Sequence, residues 1–90
     1  MKMTRATYRA NGKEIEMRQV DPDGAGFTVA VKVGGHREVY HEMGLSDSAD
    51  LAAAIDIAER IYGKDTKGRP ACSNSDIDYL RRLMSDLAGC

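Results

Sequence analysis

The sequence contains no tryptophan, one phenylalanine, two prolines and two cysteines in 90 residues. Two cysteines do not make the disulfide framework of a small secreted domain, so we predict thiols for Cys72 and Cys90, with a bridge between them as the alternative. No apolar run approaches the roughly 20 residues that span a bilayer. No apolar stretch follows Lys2 and Arg5, so the sequence shows no signal peptide. We therefore expect a cytoplasmic protein without a membrane partner.

An excess of charge of either sign is also lacking. The chain has 13 Lys and Arg against 14 Asp and Glu, for a formal net charge of -1, so no overall electrostatic attraction draws it to nucleic acid. Charged residues make up 30% and hydrophobic residues 42%, which is typical of a globular protein and too apolar for a disordered one. Ninety residues predict a single domain, 1–90, with no room for a second core.

Motifs of catalysis and metal binding are scarce. The two histidines, His36 and His41, are five residues apart on a predicted strand, point to opposite faces and cannot share a metal. Neither has a cysteine at zinc-finger spacing. The glycines at 24–26 and 34–35 precede a strand or close a hairpin, whereas phosphate loops follow a strand and open a helix. We therefore predict no catalytic residue, no metal site and no cofactor.

The most informative feature that is present is a change of hydrophobic period near Gly44. Before it, apolar residues alternate in twos and are separated by turn residues. This pattern predicts strands at residues 3–10, 13–20, 27–33 and 37–43. In the third strand, the alternation places on one face Phe27, Val29, Val31 and Val33.

Two turns set the pairing of these strands. Asn11-Gly12 predicts a type I′ turn, because that turn needs positive φ at both central residues. It places Tyr8 opposite Ile15 and leaves Arg5 opposite Arg18, the one poor pair. The register of the fourth strand stays open. A two-residue loop at positions 34–35 turns Tyr40 inward, and a three-residue loop turns inward Val39, His41 and Met43.

After Gly44, apolar residues recur at helical spacing and predict two helices. The first begins at residues 46–48 and ends at Gly63, and the second begins at residues 73–75 and ends at Gly89. Ser75 and Asp78 resemble a capping box. Each helix has one apolar stripe, so both should pack on one face of the sheet. The predicted fold is an α+β domain of order ββββαα. The stripes comprise Leu51, Ala54, Ile55, Ala58, Ile61 and Tyr62, then Ile77, Leu80, Leu83, Met84 and Leu87.

Two apolar residues, Ile57 and Tyr79, fall beside these stripes, and we expect them to touch where the helices meet. Scattered apolar residues are also expected on the sheet face that the helices leave uncovered, which we call the open face. They are Met3, Val20, Ala30 and, under one register, Tyr40. A face that combines arginines with large apolar residues resembles the composition of a protein interface.

Two groups of basic side chains are candidates for partner binding. The first group occupies the segment between the helices, which we call the basic loop, and consists of Lys64, Lys67 and Arg69. The second group is expected on the open face and consists of Arg5, Arg9 and Arg18. Solvated surface charge is the simpler interpretation of both. The functional interpretation is a patch that contacts phosphate or an acidic protein.

Four short strands with an Asn-Gly hairpin, followed by a capped helix ending in Tyr62-Gly63 and a second short helix, resemble in outline some small phage-encoded anti-CRISPR inhibitors of type I effector complexes. The resemblance covers element order over most of the chain and no motif, so it transfers no functional residue. It implies a stoichiometric inhibitor that binds an effector subunit. Residues 26–33 followed by the helix at 50–60 are also similar to the sheet-plus-helix half of antitoxins of the HicB kind, without their DNA-binding portion.

We therefore predict a non-enzymatic macromolecule-binding protein, and specifically a stoichiometric protein–protein inhibitor of the phage or mobile-element type. The alternative is a small nucleic-acid-binding module that uses the basic loop and the open-face arginines. A homodimer also stays open. Salt separates the two functions, because phosphate binding weakens steeply with added salt and a mixed apolar interface does not.

Overall fold

The computed structural model describes residues 3–21 and 26–89. It contains β1 (Arg5–Ala10), β2 (Lys13–Gln19), β3 (Thr28–Val33), β4 (Val39–Glu42), α1 (Asp47–Tyr62) and α2 (Asn74–Ala88). The strands form one antiparallel sheet in the order β1-β2-β3-β4. The predicted α+β class and ββββαα order are confirmed. The loop residues 22–25 and Cys90 lie outside the described residues. The alternative of a bridge between Cys72 and Cys90 therefore also lies outside them.

The first hairpin has the predicted turn and register. Asn11 has a φ of 52° and Gly12 a φ of 74°, as a type I′ turn requires. Tyr8 lies opposite Ile15, and Arg5 lies opposite Arg18. The turn dipeptide therefore correctly predicted which side chains of β1 and β2 lie opposite each other.

The register of β4 follows the second of the two alternatives. Val31 pairs with Val39, and Ala30 pairs with Tyr40, so Val39, His41 and Met43 point toward the helices. Tyr40 stands on the open face with 56% of its surface exposed. One expectation for β3 is wrong. The strand begins one residue later than predicted, so Phe27 precedes β3, and it is 54% exposed whereas Val29, Val31 and Val33 are buried.

Both helices begin at serine caps. The Ser46 hydroxyl accepts a hydrogen bond from the Ala49 N–H at 3.0 Å. At α2 the capping box joins Ser73 and Asp76, and the predicted box two residues later is wrong. The box forms at Ser73 because the Asp76 carboxylate accepts a hydrogen bond from the Ser73 N–H at 3.1 Å, which satisfies a donor at the helix start.

The helices pack side by side on one face of the sheet, with α1 against β3 and α2 against β2 and β3. The buried stripe of α1 is rotated from the predicted one. Ala53 and Ile57 are buried, and Leu51 is 38% exposed, because α1 must bury surface against both β3 and α2. Tyr79 is exposed, and its ring meets that of Tyr8. The core comprises Ile15, Met17, Val29, Val31, Val33, Met43, Ala53, Ala54, Ile57, Ala58, Ile61, Ile77, Leu80, Met84, Leu87 and Ala88.

The sheet also holds α1 at its carboxyl end. The Asn11 side-chain amide donates to the Ile61 carbonyl oxygen at 2.9 Å, and the Lys13 ammonium donates to the Arg60 carbonyl oxygen at 3.0 Å. These carbonyls have no partner within the helix. The first hairpin therefore caps the last turn of α1, which lies about 50 residues further along the chain, and fixes the helix against the sheet.

Candidate partner-binding surfaces

The open face is the side of the sheet that neither helix covers. Strand side chains alternate between faces, and the buried core residues of β2 and β3, with Met43 just after β4, all point to the helical side. The open face is therefore lined by Arg5, Thr7, Arg9, Glu14, Glu16, Arg18, Thr28, Ala30, Lys32, Tyr40 and Glu42, with Glu38 just before β4.

An ordered polar cluster occupies the middle of the open face. The Arg18 guanidinium donates to both carboxylate oxygens of Glu38, at 3.0 Å from Nη2 and 3.4 Å from Nε. The Tyr40 hydroxyl donates to the same carboxylate at 2.9 Å. Ala30, whose cross-strand neighbours are Arg18 and Tyr40, is only 1% exposed. The cluster thus holds three polar side chains of the open face against one another.

This cluster gives Arg18 a partner of opposite charge, although its cross-strand neighbour Arg5 has the same charge. The hydrogen bond with Glu38 raises the pKa of the Arg18 guanidinium, and the same bond lowers the pKa of the Glu38 carboxyl. Arg9 has only a loose contact with Glu14, at 3.9 Å between exposed side chains. Arg5 has no ion pair among the described residues. Arg5 and Arg9 are therefore the open-face arginines that are available to a partner.

Charges of both signs share the open face. Its basic residues are Arg5, Arg9, Arg18 and Lys32, and its acidic residues are Glu14, Glu16, Glu38 and Glu42. A shallow depression of about 220 Å³ lies among them, lined by Arg5, Thr7, Glu16, Met17, Arg18 and Glu38. The alternation of signs gives this surface a pattern of charge rather than a uniform field.

The basic loop has a defined conformation. The Asp65 carboxylate accepts from the backbone N–H groups of Lys67 at 2.8 Å and Arg69 at 3.0 Å, and Gly68 adopts a φ of 78°. Lys64 lies 3.9 Å from the Glu59 carboxylate. The loop belongs to the helical layer, whereas the open-face arginines point away from that layer. The two groups of basic residues therefore form two surfaces.

A half-buried histidine lies between β4 and α1. The His41 Nε2 atom is 3.6 Å from the Asp56 carboxylate, and it has no hydrogen-bond partner among the described residues. Burial lowers the pKa of His41 below its ordinary value, although the nearby Asp56 charge opposes this shift. His41 is thus a neutral packed side chain, and it lies away from both candidate surfaces.

Sequence reasoning missed an aromatic contact at the β1 side of the helical layer. The rings of Tyr8 and Tyr79 meet edge to face, with centroids 5.6 Å apart and planes at 79°. The Tyr8 hydroxyl is buried without a hydrogen-bond partner in the described part of the chain. Burial is the first cause of a raised pKa for Tyr8, with a contribution from Tyr62. Tyr8 is therefore a protonated, packed residue.

Comparisons with protein-family models, with curated proteins and with solved structures find no match to this chain. Within residues 3–21 and 26–89, no three His, Cys, Asp or Glu side chains are grouped so that they could hold a metal ion. Neither α1 nor α2 has the length and apolar character needed to cross a membrane. A proposal of function therefore depends on the two surfaces described above.

Proposed function

We propose that the protein is a non-enzymatic, stoichiometric inhibitor of a protein partner, similar in action to phage-encoded inhibitors of type I CRISPR effectors, and that it contacts this partner through the open face. The observation that carries the proposal is the ordered cluster of Arg18, Glu38 and Tyr40 on a sheet surface that no helix covers. Arginine and tyrosine are enriched in the parts of interfaces that contribute most to affinity.

The state of Tyr40 supports this choice. Its ring is more than half exposed, and its hydroxyl is fixed by the Glu38 carboxylate, which Arg18 holds from the other side. Binding costs free energy when side chains lose rotamer freedom at the interface. An aromatic side chain that is already fixed loses less of it, so Tyr40 is suited to serve as an anchor.

The sign pattern of the open face favours a protein over a nucleic acid. A phosphate backbone that approached Arg5 or Arg9 would also approach the carboxylates of Glu14 and Glu16, which line the same face. Nucleic-acid affinity comes mainly from neutralised phosphates, and this face has four basic and four acidic side chains and therefore no net positive charge. Charges of both signs can each find a complement on a protein surface.

The test is an interference assay in a host whose type I CRISPR effector targets an infecting phage. We expect expression of the wild-type protein to restore plaque formation. Tyr40→Ala and Arg9→Glu should each reduce this protection of the phage, measured as fewer plaques, without changing the melting temperature of the protein. Arg18 is not a suitable target, because its reversal would place two carboxylates together at Glu38.

The matched control is a basic-loop variant, Lys64→Glu with Lys67→Glu and Arg69→Glu, which should keep protection. Failure of the wild-type protein to protect against interference by any type I effector tested would refute the inhibitor proposal. Loss of protection in the loop variant alone would move binding to the basic loop. Steep weakening of partner binding by salt would then favour the nucleic-acid alternative.

A further inference from the structure

The outer edge of β1 presents free backbone groups. The Thr4 carbonyl oxygen accepts from the Gln19 N–H at 2.8 Å, so this opposed pair belongs to the hydrogen-bonded set of the ladder. Hydrogen-bonded and non-hydrogen-bonded pairs alternate along an antiparallel ladder. The N–H and C=O groups of Arg5, Thr7 and Arg9 therefore point away from β2, toward the edge of the sheet.

The edge at β4 is built in the same way. The Phe27 carbonyl oxygen accepts from the Met43 N–H at 2.8 Å, and the pairing continues through β3 and β4 in register. By the same alternation, the backbone groups of Tyr40 and Glu42 point outward, with Glu38 in the preceding outward position. No backbone hydrogen bond to these outward groups occurs among the described residues.

The two edges carry opposite charge. The outward positions of β1 have the side chains of Arg5 and Arg9. The outward position of β4 has Glu42, and Glu38, which Arg18 already contacts, lies just before the strand. All four side chains lie on the open face. An exposed strand edge is a template for pairing with another strand, and opposite charges across such a pair stabilise it.

We propose that copies of this chain associate head to tail through these edges, with β4 of a second copy added antiparallel to β1. The pairing places Arg5 opposite Glu42 of the second copy, Thr7 opposite its Tyr40, and Arg9 opposite its Glu38. Because the paired residues of both edges have their side chains on the open face, both copies keep their helices on the same side. The proposal goes beyond the proposed function and does not depend on it.

Charge disfavours the symmetric alternatives. A twofold pairing of β1 with β1 about Thr7 would place Arg5 opposite Arg9, and a twofold pairing of β4 with β4 about Tyr40 would place Glu38 opposite Glu42. Like charges directly opposite each other are destabilising. The charges thus favour pairing of a β1 edge with a β4 edge over pairing of two identical edges. Each added copy leaves one free edge of each kind, so association can extend beyond two copies.

The first test blocks one edge at a time and measures association of the purified protein by sedimentation. The measurements use low salt and protein concentrations up to about 1 mM, since small interfaces are weak. Thr7→Pro removes an outward N–H from β1, and Glu42→Pro removes one from β4, while both leave the internal ladder intact. We expect the wild-type protein to form species larger than dimers and each variant alone to be monomeric. An equal mixture of the two variants should form a one-to-one dimer and nothing larger.

The second test examines the register. Arg5→Glu alone and Glu42→Lys alone should each weaken association by about two- to thirtyfold, because each places like charges opposite each other. The double variant restores an opposite pair and should recover wild-type association. Melting curves of every variant check that the monomer folds.

Three outcomes would overturn the proposal. One is a wild-type protein that stays monomeric at the highest concentration, which would leave the β1 edge to a strand of another protein. Another is a dimer that Thr7→Pro and Glu42→Pro do not affect. The third is failure of the double charge variant to recover association while it retains its fold.

Discussion

Asn11 has two separate structural roles, and substitutions can measure each of them. Its backbone occupies the left-handed region at a φ of 52°, which costs most L-residues roughly 1–2 kcal/mol relative to glycine. Its side chain donates to the Ile61 carbonyl oxygen at 2.9 Å, and a hydrogen bond of this kind contributes about 0.5–1.5 kcal/mol. Asn11→Gly removes only the hydrogen bond, whereas Asn11→Ala removes the bond and adds backbone strain.

We therefore expect Asn11→Gly to reduce the free energy of unfolding by about 1 kcal/mol and Asn11→Ala by about 2–3 kcal/mol. For a domain of this size, each kcal/mol lowers the melting temperature by about 4–8 °C. Denaturant melts followed by circular dichroism would measure both variants, with Gly12→Ala as a control that strains the turn without touching α1. Equal losses for the two Asn11 variants would refute the backbone argument, and an unchanged Asn11→Gly protein would refute the helix cap.

Three further predictions follow from burial, capping and titration. Ile57→Ala should lower the free energy of unfolding by about 2–5 kcal/mol in denaturant melts, and Leu51→Ala by under about 1 kcal/mol. A larger loss for Leu51→Ala than for Ile57→Ala would contradict the observed orientation of α1. Ser73→Ala should lower stability by about 1 kcal/mol and Ser75→Ala by less than half of that, since only Ser73 caps α2. Burial lowers the pKa of His41 below 6.5, so the unfolded chain binds the proton more readily and stability should fall as pH drops below that value. His41→Gln should flatten this dependence in melts across the same pH range.

The sequence predicted best where a few adjacent residues determine the structure. Asn11-Gly12 specifies a turn type, and the turn type specifies the register of β1 and β2. The start of α1 at Ser46 and its end at Gly63 follow from capping chemistry in the same local way. The orientation of α1 was harder to predict, because alanines at 53, 54 and 58 carry a weak hydrophobic signal. Packing against α2 decided that Ile57 faces the core.

The candidate site was predicted only in part, for a reason that can be traced to β4. The partner of Arg18 is Glu38, which the chain brings onto the open face only if Val39 faces the helices. We left that register open, so the ion pair and the position of Tyr40 were not predicted. The alternation in β3 was the available signal. Matching its inward valines to Val39 would have placed Glu38 and Tyr40 beside Arg18.

Strand order in the sheet is the same as order along the chain, and this has a consequence for the kinetics of folding. Each strand pairs with its sequence neighbour, so the sheet forms by closing short loops, whose entropic cost is small. Folds dominated by such local contacts have low contact order and fold faster than sheets with crossover strands. The contacts of Asn11 and Lys13 with α1 join residues about 50 positions apart. We expect these contacts to form after the transition state, so that their loss should speed unfolding and leave the folding rate nearly unchanged.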